Sequence, residues 1–297
     1  MNRASRLLSV TAAVLVLSAG GVAAQADRVV PAAVTTAVAP TALAPLPRPD
    51  HVVIVMMENK RYDSVIGHAK TPYVTALAKR WANLTHFYAE THPSQPNYLA
   101  LFSGSTHGVT DNNCPHNVGD KPNLGRQLIT AGYTFTGFSE DLPHAGWPGC
   151  GYKRYVRRHV PWVNFSNVPA ASHQPFTKFP SDYRKLPTVA FVVPNLCHDM
   201  HDCPKAEADA WLKKKFAPYI AWATTHNSLF ILTFDEDNKT DGNPIATIVA
   251  GARVHPGQYS PRFDHYYLLR TLQSMYGLAP TGLSAKRAPL RGLWTVR

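Results

Sequence analysis

From residue 51 onward, short apolar runs closed by polar residues recur along the chain. They are His51-Val-Val-Ile-Val-Met-Met57 and the runs at 84–89, 133–138, 188–193, 228–234 and 245–250. Apolar residues without alternation predict strands buried on both faces, as in a parallel sheet. Between them lie segments of helical period. Residues 71–81 carry Pro72 at the start and Tyr73, Leu77 and Trp81 on one face, and residues 206–225 place Leu212, Phe216 and Ile220 four apart. Further helices are predicted at 123–131, closed by Gly132, and at 264–276. This alternation predicts an α/β fold with a largely parallel central sheet flanked by helices. Residues 147–180, rich in aromatics, Pro, Lys and Arg, break the pattern and predict a loop-rich insertion covering part of a site.

Polar residues gather where the apolar runs end. Glu58-Asn59 follow the first run, and Ser139-Glu140-Asp141 follow the third. Asn195 to Asp202, with two histidines and two aspartates, follow the fourth, and Asp235-Glu236-Asp237 follow the fifth. Open α/β sheets bind ligands at such strand ends. Three adjacent carboxylates repel one another unless a cation or proton neutralises them. The stretch 91–113 is different: Ser94 lies where a β-rich segment hands over to a helix, with Pro93 and Pro96 suited to the helix start. Free N–H groups and the helix dipole favour an anion there, and an activated serine hydroxyl attacks phosphorus. Ser94 as a simple N-cap, with Asn97 at N3, is an equal reading of this stretch alone.

The length of 297 residues suits one catalytic domain, expected at 50–297. Arg3 and Arg6, an apolar run at 7–17 and the small-residue end Ala24-Gln25-Ala26 predict a secretory leader at 1–26, too short for a membrane span. Residues 27–49, rich in Ala, Val, Pro and Thr, read as a flexible tether. A secreted, soluble monomer without stable membrane insertion is expected. Losing the leader lowers the net charge from +11 to +9, which favours anionic partners, and no nucleic-acid-binding motif is present. Lys153, Arg154, Arg157 and Arg158 cluster as a solvated face or a grip on an anionic head group. Four cysteines allow three pairings, of which Cys114 with Cys150 and Cys197 with Cys203 is favoured because the second pair brackets one short loop. A zinc site is the rival, but no Cys-x-x-Cys spacing exists.

Four runs carry a resemblance: His-Pro-Ser-Gln-Pro-Asn-Tyr-Leu-Ala-Leu-Phe at 92–102, His-Val-Pro-Trp-Val-Asn-Phe-Ser-Asn-Val-Pro at 159–169, Asp-Met-His-Asp at 199–202 and Asp-Glu-Asp at 235–237. Together they resemble the bacterial phosphoesterase family, which contains acid phosphatases and phospholipases C within the alkaline-phosphatase-like superfamily. The resemblance implies a secreted phosphomonoesterase of acid phosphatase type working through a phosphoserine. Its substrate is a phosphate monoester, with a phosphoinositide at a membrane surface as a candidate. A phosphodiesterase or phospholipase C, or a non-catalytic binder of anionic lipid, are the alternatives. The resemblance implies Ser94 as nucleophile, His201 as general acid or base, and Asn112, after His107-Gly108, on a phosphate oxygen. His92 and His265 belong to the phosphate pocket. Glu58, Asn59, Asp235 and Glu236 match a metal site. Glu236 stands where two-metal members carry His, so one metal ion of unspecified identity is implied. His198 replaces an expected Asn, and the Cys197 and Cys203 pair is a further departure.

Overall fold

The computed structural model describes residues 46–240 and 242–295. The leader expected at 1–26 and most of the tether expected at 27–49 lie outside the described residues. The last tether residues are already part of the body: Leu46 packs on the core, and the Pro49 carbonyl accepts the Tyr276 hydroxyl at 3.1 Å.

The elements follow in chain order: β1 (His51–Met57), α1 (Tyr62–Val65), α2 (Pro72–Arg80), β2 (Ala82–Tyr88), α3 (Ser94–Ser103), α4 (Leu124–Thr130), β3 (Phe135–Ser139), β4 (Gly151–Tyr152), β5 (Tyr155–Val156), β6 (His173–Pro175), β7 (Val189–Val193), α5 (Lys205–Ala223), β8 (Ser228–Phe234), β9 (Pro244–Gly251), β10 (Gly257–Tyr259), β11 (Phe263–Asp264) and α6 (His265–Met275). The main sheet runs β10-β2-β9-β8-β1-β7-β3-β6, with β11 beside β2. At its centre β1 pairs in parallel with β7 (Val52↔Val189) and with β8 (Val53↔Phe230), and these three strands are buried almost throughout. Their unbroken Val, Ile, Leu and Phe content is what burial on both faces demands.

The largely parallel α/β sheet matches the expectation, with β9 as the exception: it runs antiparallel to both β8 and β2. Helix α3 is buried at every residue and packs against α4, α6 and the turns at 157–164, while α5 packs on α2 and β8. Leu212, Phe216 and Ile220 form the buried face of α5, as their spacing requires. Asn123 caps α4 by accepting the Arg126 N–H at 2.8 Å, and Asp264 caps α6 by accepting that of Tyr267 at 3.1 Å.

The insertion at 147–180 does more than cover a site. Its strand β6 extends the sheet beside β3, and its Trp162 enters the core over Gly137, where a Cβ atom would lie 2.2 Å from the indole. Both favoured disulfides form, Cys114–Cys150 and Cys197–Cys203. The basic cluster divides: Arg157 is buried and donates to the carbonyls of Pro148, His116 and Val163, so it holds the insertion together and grips no surface anion.

Candidate active site

The site begins with strand register. Because Met57 of β1 pairs with Phe234 of β8, Glu58 and Asp235 leave the sheet side by side. The Asn59 N–H donates to Asp235 Oδ1 at 2.9 Å, and the Asp235 N–H to the Met57 carbonyl at 3.0 Å. The loop after β7 joins them, its Asp199 carbonyl accepting the Glu58 N–H at 2.8 Å. Residues distant in sequence thus converge at one sheet edge because their strands are parallel neighbours.

Ser94 meets them from the start of α3. The N-cap is Pro93, Ser94 is the first helical residue, and its side chain makes no capping bond. The N-cap reading therefore falls. Its hydroxyl instead lies 3.0 Å from Glu236 Oε1 and 3.2 Å from Glu58 Oε2. A hydroxyl has one proton to donate, so both contacts are satisfied only when one carboxyl is itself protonated or a cation shares its charge. Asn97, one turn into α3, fastens the approach to Ser94. Its Oδ1 accepts the N–H groups of Glu90 and Thr91 at 3.0 Å each, and its Nδ2 donates to the carbonyls of Thr91 and Pro93 at 2.8 and 3.2 Å. Asn112 is exposed beside the helix start, its Oδ1 accepting the Gln95 N–H at 2.9 Å.

The histidines separate into different surroundings. His92 Nδ1 contacts Glu236 Oε2, and its Nε2 lies 3.5 Å from Asp237 Oδ1. His159, supplied by the insertion, is fully buried. It stacks on Tyr98 at 5.2 Å and lies 3.2 Å from Glu58 Oε1 and 3.5 Å from Asp199 Oδ2. Burial holds its imidazole well below the usual range. Tyr98 donates its hydroxyl to Glu58 Oε1 at 2.5 Å, and burial keeps that phenol protonated. His201 sits at the rim, its Nδ1 2.6 Å from Asp202 Oδ1 and its ring 6.2 Å from that of His159. No contact joins it to Ser94 among the described residues. His265 lies behind the site rather than in it: fully buried, it donates Nε2–H to the Phe234 carbonyl at 2.8 Å, and burial lowers it to about 4. It supports the end of β8 and is not placed to touch a phosphate.

Glu58, Asp199, Asp235 and Glu236 are all at most 2 % exposed. Burial first, then mutual repulsion, raises Glu58 well above the usual carboxylate range and Asp235 to about 7, while burial also raises Asp199 and Glu236. Asp235 Oδ2 is buried without a hydrogen-bond partner. Lys60 lies near these carboxylates, but burial lowers its own affinity for a proton. Carboxylates, the Asn59 amide and the Ser94 hydroxyl form an oxygen-rich donor set suited to a hard cation, and the orphaned Asp235 oxygen is what such an ion would satisfy. The oxygens are spread more widely than in a closed cage. The only trio of His, Cys, Asp or Glu ligand atoms within 4.8 Å of one another among the described residues is Cys197, Cys203 and Glu207, whose sulfurs are bonded to each other. That pairing also removes the zinc alternative.

The phosphoesterase family model matches residues 68–279. The chain belongs to the phosphoesterase family. It is 49% identical over 251 residues to the phosphatidylinositol-3-phosphatase of Mycobacterium tuberculosis, covering 84% of each chain. It is 31% identical over 253 residues to a probable acid phosphatase of Kluyveromyces lactis, covering 77% of this chain and 58% of that protein. In fold it is similar to an alkaline phosphatase superfamily protein from Vibrio parahaemolyticus, with a TM-score of 0.55 at 12% identity over 85% of this chain and 75% of that one. It is also similar to a phosphonate monoester hydrolase from Silicibacter pomeroyi, with a TM-score of 0.54 at 11% identity over 81% and 77% of the two chains. Within this phosphoesterase, Ser94, Asn112, His201, Asp235 and Glu236 fall in the family segment, whereas Glu58 and Asn59 precede it.

The residues that the structure brings together include Glu58, Ser94, Asp235 and Glu236, which the strand ends pointed to, together with His159 and Tyr98, which they did not, and Asp199, which was singled out only as part of its loop. His159 stood inside one of the resemblance runs, and Asp199 inside the dense polar loop. Tyr98 stood inside the run at 92–102, but an aromatic on an apolar helix reads as core.

Proposed function

We propose that the protein is a secreted phosphomonoesterase in which Ser94 attacks phosphorus and becomes transiently phosphorylated. The observation that carries this reading is the Ser94 hydroxyl at the first residue of α3, between Glu58 and Glu236. A phosphoryl group there faces the positive helix end, and the carboxylates take up the hydroxyl proton. Glu58, Asn59, Asp235 and Glu236 would hold one hard metal ion, which supplies positive charge that lowers the hydroxyl pKa and polarises the ester. Tyr98 fixes the Glu58 carboxylate from its other side by donating its hydroxyl, with His159 stacked on the Tyr98 ring. His92 orients Glu236, Asn112 stands ready for a phosphate oxygen, and His201 at the rim gives a proton to the leaving alcohol, its Nδ1 occupied by Asp202 and Nε2 left for the substrate.

The names of the mycobacterial and fungal relatives support a phosphate monoester, including a phosphoinositide, as substrate. No helix among the described residues is long and apolar enough to cross a membrane, which suits export behind the expected leader. The test compares hydrolysis of an aryl phosphate monoester and the matching diester by wild type and Ser94→Ala, with mass spectrometry of acid-quenched protein. Monoester turnover that disappears in Ser94→Ala, with phosphate trapped on the peptide containing Ser94, is expected. A faster diester rate favours the phospholipase C reading, and undiminished turnover in Ser94→Ala rejects the nucleophile.

A further inference from the structure

A second feature opens at the same sheet edge as Ser94. Beyond the ends of β3 and β6 lies a cavity of about 630 Å³ lined by Lys153, Lys178, Lys215 and His144, with Tyr152 and Phe176 as its aromatic walls. The lysines come from three separate elements: the β4–β5 hairpin, the turn after β6, and α5. All three are exposed, and no carboxylate pairs with them among the described residues. Two of the lysines lie over rings instead, Lys153 over Tyr152 at 5.6 Å and Lys215 over Phe176 at 5.7 Å.

Glu140 and Asp141 also line the cavity, where their oxygens accept hydrogen bonds within the wall, so three ammonium groups face two carboxylates and the balance stays positive. Glu140 accepts from the Trp211 indole at 3.1 Å and lies 2.8 Å from His198 Nδ1, and Asp141 accepts the Asn195 amide at 2.8 Å. The same bonds tie the cavity wall to the loop that carries Asp199 and His201. The hairpin is fastened there too, the Leu196 N–H donating to the Arg154 carbonyl at 3.0 Å.

We propose that this lysine-lined mouth docks the protein on the surface of a bilayer containing acidic phospholipid. Three exposed ammonium groups on flexible stems produce a broad positive potential that matches many head groups better than a single buried ion. Tyr152, one of two large hydrophobic residues that stand exposed among the described residues, sits at the hairpin tip. A tyrosine flanked by lysine suits the boundary between head groups and acyl chains, its ring apolar and its hydroxyl wet. Docking by this face brings the Ser94 edge toward the lipid. The proposal extends the lipid-phosphate reading above, but its binding test needs no turnover.

Co-sedimentation of the full chain with phosphatidylcholine vesicles, with and without phosphatidylserine, tests it. Each lysine near an acidic surface contributes about fivefold in affinity, so Lys153→Gln/Lys178→Gln/Lys215→Gln should lose roughly a hundredfold on phosphatidylserine vesicles at low salt. Binding to phosphatidylcholine, melting temperature and aryl phosphate turnover should stay at wild-type values, and Tyr152→Ser should weaken vesicle binding without changing its salt dependence. A control that removes equal charge elsewhere, Lys70→Gln/Lys79→Gln/Lys286→Gln, should bind like wild type. Absence of wild-type binding to acidic vesicles, an unaffected cavity triple variant, or equal loss in the control overturns the proposal. So does full competition by inorganic phosphate at matched ionic strength, which would identify a site for a soluble anion. Failure of aryl phosphate turnover in wild type would reject the phosphatase reading while leaving the sedimentation result intact.

Discussion

Asn97→Ala tests the idea that one buried amide holds the nucleophile's approach in place. The asparagine is fully buried and makes four hydrogen bonds, two accepted from the N–H groups of Glu90 and Thr91 and two donated to the carbonyls of Thr91 and Pro93. Truncation does not cost four equal bonds. The Thr91 carbonyl keeps the Asn243 amide at 2.9 Å, so the principal loss is the acceptor for two N–H donors. Each stranded donor costs about 1–3 kcal/mol, and alanine's better helix propensity returns roughly 0.6 kcal/mol. A net loss of about 3 kcal/mol is expected, a large share of a typical domain's stability. Urea unfolding followed by tryptophan fluorescence, with disulfides intact and unchanged m-value, measures it. In the same variant kcat on an aryl phosphate should fall more than KM rises, because the loosened segment carries His92 and Ser94. The shared Thr91 carbonyl makes a sharper demand: only Asn97→Ala/Asn243→Ala leaves it without either amide, so the double variant should lose about 1 kcal/mol more than the sum of the singles. Additive effects, or a single variant within about 0.5 kcal/mol of wild type, would refute the reasoning.

Other perturbations address separate links. If His201 protonates the leaving alcohol, His201→Gln should slow an alkyl phosphate by about 10²–10⁴ and an activated aryl phosphate far less, because a good leaving group needs no proton; equal losses on both would count against that role. Gly137→Ala should destabilise by about 1–3 kcal/mol in thermal or urea unfolding, since its Cβ would collide with the buried indole of Trp162. His173 is buried beside Ser139, and burial lowers its imidazole to about 3, with Arg157 adding to the effect. The native state therefore stays neutral where the unfolded chain takes up a proton, and stability falls as pH drops from about 6.5 toward 3. Between pH 6.5 and 4.5 wild type should lose about 2 kcal/mol more than His173→Gln; parallel pH profiles would show that His173 carries no such linkage.

The sequence by itself determined where backbone must be buried and which chemistry stands at its ends. The runs at 51–57 and 228–234 became β1 and β8 with the expected bounds, because residues apolar on both faces have no stable place except inside a sheet. Their polar ends therefore pointed to Glu58 and Asp235 before any partner was known. Partner, direction and side-chain environment were decided only by the tertiary structure. Strand β9 is as apolar as its neighbours, and nothing in its composition distinguishes an antiparallel from a parallel run. His159 and His265 are both histidines at element boundaries in the chain. Packing places one between Glu58 and Asp199 and the other against the Phe234 carbonyl. Ser94 could have capped its helix, but with Pro93 as N-cap and Asn97 securing the turn, its hydroxyl faces two carboxylates delivered by distant strands. A linear pattern records how much of each residue must leave water; which atoms it then meets depends on strand register and on loops closing around it.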